Sequence, residues 1–236
     1  MKIRIKFSKE GAMKFVGHLD MMRYFQKAMR RANVDIRYSG GFSPHMVMSF
    51  ASPLGVGVTS SGEYMDIEVL STDPSVEMLK RLNQVMVPGV EVLSYRRLPD
   101  TAKNAMSIVA AADYLVRFRE GYGPQRWEDF ASGWPGFLNQ GSIFVHKKTK
   151  KGEKVMDIRP WIYGWDGKEG EIHLRLATGS MANLKPETAI GAYLESRGSQ
   201  LGEFALLIHR NEVYANQAKA GKPDFCPLEQ FGEDIE

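Results

Sequence analysis

Four basic residues share one side of a predicted helix over residues 19–33. Arg23, Lys27 and Arg30 are spaced by four and three residues, which places them on one helix face, and Arg31 lies beside them. A second face of the same segment is apolar: Met22, Phe25, Met29 and Ala32. Cations that converge in this way can neutralise the phosphates of a nucleic-acid backbone. The alternative is a solvated helix face, which is the usual role of such a row of basic residues.

The local charge favours a polyanionic partner. Residues 1–50 contain ten Lys and Arg against three Asp and Glu, a net charge of +7, although the whole chain carries only +3. Phe42 follows in a Gly-containing loop, where its ring can stack on an unpaired base. We therefore predict RNA contacts at six cations and one aromatic residue of this region: Lys14, Arg23, Lys27, Arg30, Arg31, Arg37 and Phe42.

A second basic element lies far along the chain. Two short predicted strands, 143–147 and 155–161, are joined near a turn at Lys151-Gly152, and such a hairpin can lie against a nucleic-acid backbone. Lysines also protect sheet edges and keep a protein in solution, which is the alternative. The predicted contact residues of this element are Lys147, Lys148, Lys150, Lys151, Lys154 and Arg159.

Two histidines are candidates for proton transfer. His18 stands two residues before Asp20, so it can act as a base that the carboxylate orients, and His45 follows Pro44 in the loop. The alternative for His18 and Asp20 is a helix start in which both side chains bond backbone amides. The candidate catalytic residues are thus His18, Asp20 and His45, with no reaction assigned to them.

Carboxylates in the segment 63–68 offer a weaker signal. Alternation places Tyr64, Asp66 and Glu68 on one face of a predicted strand, where the acids can pair with the basic helix, hold a metal or face water. The five histidines and one cysteine have no zinc-like spacing, and no P-loop occurs. We therefore predict no metal and no cofactor, and an enzymatic role stays uncertain and less favoured than binding.

Composition indicates a folded, water-soluble chain. Of its 236 residues, 43% are hydrophobic and 25% charged, and no apolar run approaches the length of a membrane span. Cys226 is the single cysteine, so no intramolecular disulfide can form, which fits a reducing compartment. The first residues alternate basic and apolar and are not typical of a signal peptide. We expect a cytoplasmic protein without a membrane partner.

The elements that position these residues follow an α+β order. Ile3, Ile5 and Phe7 alternate with basic residues, which predicts a half-buried strand over 2–8. Residues 1–96 then give the order β-α-β-β-α-β, typical of a ferredoxin-like domain. We predict a connector at 97–109, a second, decorated ferredoxin-like domain at 110–215, and an irregular acidic tail at 216–236.

Ordered motifs along the chain resemble a known bacterial family. In the first half these are Phe7-Ser8-Lys9, Phe15, His18-Leu19-Asp20, Arg23, Ala28-Met29-Arg30-Arg31-Ala32, Tyr38-Ser39-x-Gly41-Phe42-x-Pro44-His45, Ser49-Phe50-Ala51, Pro53-Leu54 and Glu63-Tyr64-x-Asp66. In the second half they are Lys147-Lys148-Thr149-Lys150-Lys151-Gly152, Asp157-Ile158-Arg159-Pro160, Gly179-Ser180, Asn183-Leu184-Lys185-Pro186-Glu187 and Ile208-His209-Arg210. The chain resembles the radical-SAM-linked family of unknown function, from which it departs at Lys14, where arginine is common.

The resemblance implies a partner and not an activity. Members of that family are encoded beside, or fused to, a radical SAM protein, and no catalytic residues can be carried over from them. A radical SAM enzyme needs three cysteines for its iron–sulfur cluster, and this chain has one. The resemblance therefore implies an accessory to a radical SAM enzyme, and the charge adds the hypothesis that it binds RNA or presents an RNA substrate. The alternatives are a metal-independent ribonuclease or RNA-modifying enzyme that uses His18 or His45, and a protein-interaction module.

Overall fold

The computed structural model describes residues 1–149, 152–168 and 170–236. The chain forms two compact units. The first consists of Met1–Ala111 and Arg210–Glu236, and the second of Ala112–His209. Both units combine strands and helices, so the predicted mixed α+β class is confirmed.

Seven elements build the amino-terminal part of the first unit. They are β1 (Lys2–Lys9), α1 (His18–Arg31), β2 (Met48–Phe50), β3 (Thr59–Glu68), α2 (Ser75–Asn83), β4 (Val90–Leu98) and α3 (Ala105–Ile108). The predicted strand over 2–8 and the predicted helix over 19–33 are both present, as β1 and α1. Through β4, the order is the β-α-β-β-α-β expected for residues 1–96.

The sheet of the first unit is built around β1. It pairs antiparallel with β3 on one side and with β4 on the other, and β2 pairs antiparallel with β3. Ile3, Ile5 and Phe7 are buried against the helices, together with Phe25 and Met29 of α1. Because side chains alternate along a strand, Lys2, Arg4 and Lys6 lie on the opposite face of the sheet.

The second unit contains three helices among its described residues and a hairpin that forms a separate sheet. Its elements are α4 (Trp127–Ser132), α5 (Trp134–Leu138), β6 (Phe144–Thr149), β7 (Gly152–Asp157), β8 (Ile162–Lys168), β9 (Glu171–Ala177) and α6 (Pro186–Ser196). β8 and β9 pair antiparallel, whereas β6 and β7 form a two-stranded sheet of their own. The finer prediction of two tandem ferredoxin-like domains is not confirmed.

The predicted domain boundaries differ from those of the structure. The chain enters the second unit within β5 (Val109–Phe118) and leaves it within β10 (Leu206–Asn216). The predicted connector at 97–109 contains the end of β4, all of α3 and the start of β5. A strand pattern that continues through a boundary gives no mark in the sequence of where one unit ends and the next begins.

The acidic tail predicted as irregular is part of the first unit. It contains β11 (Phe225–Pro227), which pairs with β10, and a 3₁₀ turn at Leu228–Phe231. The Leu228 side chain is fully buried, and Ile235 packs against the core. A few buried apolar side chains and specific ion pairs order this segment. Its average composition is polar, so composition alone predicted an irregular tail.

None of the helices in the described part of the chain combines the length and apolarity that crossing a bilayer needs.

Candidate functional site

The exposed side of α1 carries the four predicted cations. The helix buries Met21, Phe25, Ala28 and Met29, and it exposes Arg23, Lys27, Arg30 and Arg31, which we call the basic helix face. Arg23 pairs with Asp20 at 3.1 Å, and Arg31 donates to the Val85 carbonyl at 3.0 Å. Among the described residues, Lys27 and Arg30 have no acidic partner, so their charges are open to an external anion.

The two flanking cations are less open. Lys14 is half-buried, and its Nζ lies 5.2 Å from the centroid of the Phe15 ring, a cation–π distance. Arg37 is paired with Glu68 at 3.0 Å. Both therefore keep their charge near the surface, but each already has an interaction inside the first unit.

Two cations of β1, Arg4 and Lys6, are paired with carboxylates within the first unit. Arg4 makes two hydrogen bonds to the Asp66 carboxylate, at 2.8 and 2.9 Å, and Lys6 bonds both Glu212 and Glu229, at 2.7 and 2.8 Å. Burial lowers the pKa of Lys6, but the hydrogen bonds to the two carboxylates outweigh it and raise the pKa overall. The surplus of +7 in residues 1–50 is thus local in the sequence but partly offset in space by distant carboxylates.

The other two β1 lysines bond backbone carbonyls. Lys2 donates to Asp100 at 2.7 Å and to Ala102 at 3.0 Å, and the buried Lys9 donates to Val16 at 2.7 Å. Burial lowers the pKa of Lys9, the charge of Glu63 opposes this shift, and that of Arg210 adds to it. These contacts concentrate the free positive charge of the amino-terminal segment on α1.

His18 is the first residue of α1. Its ring makes an edge contact with the Phe50 ring, at a centroid distance of 5.3 Å, and it lines a small cavity of about 20 Å³ with Lys9 and Glu63. Asp20 bonds Arg23, and Gly17 is the N-cap without a side-chain hydrogen bond. Neither the predicted base–carboxylate pair nor the predicted cap is therefore present among the described contacts.

His45 is held in the loop that precedes β2. Its Nδ1 lies 2.8 Å from the Ser39 hydroxyl, which also accepts the His45 amide N–H at 3.1 Å. The imidazole lines a cleft of about 490 Å³ in the first unit. Phe42, at the tip of the same loop, is fully exposed, as stacking on a base requires.

The second basic element lies in the other unit. Lys147 and Lys148 lie on β6, and Lys147 is opposite the exposed Lys154 of β7, whereas Lys150 and Lys151 lie outside the described residues. Arg159 donates from its guanidinium to the carbonyls of Leu138 and Ile162, at 2.6 and 3.2 Å. These bonds give Arg159 a local structural role beside the predicted contact to RNA.

A buried polar network in the first unit escaped the sequence reasoning. Arg210 binds Glu63 through two hydrogen bonds, at 2.7 and 2.5 Å, and the Ser52 carbonyl at 3.0 Å. The Tyr64 hydroxyl donates to Glu212 at 2.8 Å, and burial together with that carboxylate raises the pKa of Tyr64. The available signal was Glu63 itself, because a carboxylate on the apolar face of a strand needs a buried partner.

The profile of a protein family described as "Uncharacterized protein conserved in bacteria (DUF2344)" matches residues 2–186. The chain belongs to this family. Nothing in the match links the family to radical SAM enzymes. The match spans α1, the loop of Phe42 and His45, and β6 and β7, so it includes all the residues that the sequence predicts to contact RNA or to transfer a proton.

Comparisons with curated proteins and with solved structures assign no function to the chain. No curated protein matches the chain. A crystal structure of a Cbf5-Nop10-Gar1 complex is similar to it, with a TM-score of 0.47, 10% sequence identity, and coverage of 89% of this chain and 48% of that chain. The chain thus spans about half of that relative's length.

Proposed function

We propose that this chain is an RNA-binding protein whose basic helix face contacts the phosphate backbone. The observation that carries the proposal is that Lys27 and Arg30 are exposed and lack an acidic partner among the described residues. Arg23 and Arg31 lie next to them on the same helix. Such a cluster attracts a polyanion because each neutralised phosphate releases a condensed counterion.

Single-stranded RNA fits this surface better than duplex. Binding of unpaired bases combines a basic track with exposed aromatic rings. The first unit offers Phe42, whose ring is fully exposed, and Phe15, which is largely exposed beside Lys14. Neither ring is needed to fill the core, so both are available for stacking.

The proposal is tested by titrating a labelled single-stranded RNA at low salt and following its fluorescence anisotropy. The variant Lys27→Gln/Arg30→Gln is expected to bind more weakly than wild type. The matched control is Lys219→Gln/Lys222→Gln, which removes two exposed positive charges from the tail. Equal affinity of the two variants would show that the helix face is not the binding surface. Failure of RNA to compete with an acidic protein for this face would support a protein-interaction module instead.

We further propose that the partner of this chain is a radical SAM enzyme, to which it presents RNA. The support is the resemblance of its motifs, together with its single cysteine, which cannot hold the cluster of such an enzyme by itself. Affinity purification of the tagged chain from its native cells, followed by mass spectrometry, tests this partner. Recovery of the chain without any radical SAM protein would count against it.

A second candidate function is RNA cleavage or modification with a histidine as acid or base. Its specific support is the His45 ring, which is oriented by Ser39 at the edge of a cleft, as a general acid or base must be. His18, beside the smaller cavity, is the other candidate. If this function holds, His45→Ala or His18→Ala abolishes turnover of RNA while RNA affinity changes little. If wild-type protein never alters an RNA substrate, this candidate is wrong.

A further inference from the structure

The cleft beside His45 has the size of a small-molecule site. Its volume is about 490 Å³, and ligand sites for small molecules commonly measure about 300–1,000 Å³. β2 and the loop before it form one side, and the segment 98–104 forms the other. The sheet residues Lys2, Asp66 and Glu68 also line it. This is the face of the sheet opposite α1, so the cleft is separate from the basic helix face.

Apolar side chains provide part of the lining. Val47 and Leu98 contribute their side chains to it, and Leu98 is itself buried. Met48 and Ile67 border the cleft by their backbone, because their side chains pack into the core on the α1 face. Apolar walls with a few converging polar groups are the usual make-up of a ligand site. This part of the cleft can hold a planar, weakly polar group such as a nucleobase.

Two polar groups of the cleft have a fixed orientation. The Asn104 amide donates to the Ser49 hydroxyl at 2.8 Å, while its carbonyl oxygen accepts the Met106 N–H at 2.9 Å. The Ser49 hydroxyl proton has no acceptor among the described residues, so it can be donated to a ligand. His45 bonds Ser39 through Nδ1, so Nε2 is the ring nitrogen that a ligand can meet.

The charges of the cleft do not cancel. The Asp66 carboxylate is compensated by Arg4 and by the Ala105 N–H, and Glu68 is compensated by Arg37. The lysines are not compensated, because the Lys2 ammonium bonds two carbonyls and Lys103 is exposed, with no acidic partner of either among the described residues. The cleft therefore presents two positive charges to an anionic group.

We propose that this cleft binds a nucleoside monophosphate. Lys2 and Lys103 hold the phosphate, the base lies against Val47 and Leu98, and the polar edge of the base meets Ser49 and His45. Phosphate alone is expected to bind weakly, because it leaves the apolar lining of the cleft unfilled. The nucleoside alone is expected to bind weakly, because it lacks the anionic group that the lysines hold. The inference does not depend on RNA binding by α1, because it uses other residues on another face of the sheet.

Isothermal titration calorimetry with AMP, GMP, CMP and UMP tests the proposal, with the matching nucleosides and inorganic phosphate as comparisons. At least one monophosphate is expected to bind about tenfold or more tightly than its own nucleoside, the gain of a hydrogen bond to a charged group. The same monophosphate is expected to bind more tightly than phosphate. No binding of any monophosphate, or equal binding of monophosphate and nucleoside, overturns the proposal.

Variants separate this site from the helix face. Lys103→Gln changes an exposed side chain and is expected to reduce binding of the monophosphate about tenfold while leaving that of the nucleoside unchanged. Ser49→Ala is expected to weaken both. Lys80→Gln, at an exposed lysine of α2, and Lys27→Gln/Arg30→Gln are the controls and should bind the monophosphate like wild type. Loss of binding in the Lys27→Gln/Arg30→Gln variant, or wild-type affinity in Lys103→Gln, contradicts the assignment.

Discussion

Arg210 and Glu63 form a two-bond ion pair inside the first unit, with side chains only 3% and 5% exposed. Arg210 is the residue at which the chain returns to this unit, and Glu63 lies on β3. The pair therefore fastens the returning segment to the sheet. It also places a carboxylate near the buried ammonium of Lys9, whose pKa burial lowers and Glu63 partly restores.

Glu63→Leu is expected to destabilise the protein by about 3–5 kcal/mol, because it leaves Arg210 buried without its counter-charge. Urea unfolding followed by circular dichroism measures the change. The double variant Glu63→Leu/Arg210→Met should recover part of the loss. As a control, Glu233→Gln removes an exposed pair with Arg97 and should cost no more than about 1 kcal/mol. If Glu63→Leu also costs no more than about 1 kcal/mol, the pair does not hold the returning segment on the sheet.

Lys6 gives a prediction about alkaline pH. Its pKa is raised above that of the unfolded chain, so its stabilising effect is complete below the unfolded pKa and is lost as pH rises through the folded one. The stability difference between wild type and Lys6→Met should thus be large near about pH 8 and shrink near about pH 11. Denaturant unfolding at both pH values measures it. A pH-independent Lys6 effect would refute the pairing.

Leu228 tests whether the tail belongs to the first unit. Its side chain is fully buried, so Leu228→Ala should cost about 2–5 kcal/mol through lost burial and a cavity. Leu70→Ala is the control, because Leu70 is 68% exposed. Thermal unfolding of both variants distinguishes them. If the two melt alike, the acidic tail is not packed on the sheet.

Gly62 tests the approach of β3 to β10. A Cβ at this position would collide with the Asn211 carbonyl oxygen and would lie 2.6 Å from the Glu212 Cα. Gly62→Ala should therefore push the strands apart and destabilise by about 1–3 kcal/mol. Gly40→Ala, where nothing lies within 4 Å, is the control in the same thermal assay. A neutral Gly62→Ala would show that the strands are further apart than described.

The local periodicity of the sequence predicted β1 and α1, but it could not predict which residues far apart in the sequence form ion pairs. Ile3, Ile5 and Phe7 marked β1 because side chains alternate in a strand, and the spacing of Arg23 and Lys27 marked the outer face of α1. The partners of the β1 cations come from far along the chain: Lys6 and Glu212 are 206 residues apart. No spacing within one sequence indicates such a contact.

The sequence likewise indicated the basic helix face but not the cleft beside His45. The basic helix face follows from a helical repeat, whereas the cleft depends on Lys103 and Asn104, which lie in a segment interpreted as a connector. The predicted His18–Asp20 pair is not among the described contacts, where Asp20 is instead paired with Arg23 on the exposed side of α1. The loop of Phe42 and His45 was predicted to be a binding element, but the Ser39 hydrogen bond that orients the His45 ring depends on the folded turn.

The salt dependence of RNA binding tests the central claim most directly. For single strands, the slope of log K against log salt concentration changes by about 0.7 for each phosphate contact. Lys27→Gln/Arg30→Gln should therefore bind with a slope that is shallower than that of wild type by about 1.4, while Lys219→Gln/Lys222→Gln keeps the wild-type slope. Absence of RNA affinity at low salt, or an unchanged slope in the α1 variant, would contradict RNA binding by the basic helix face.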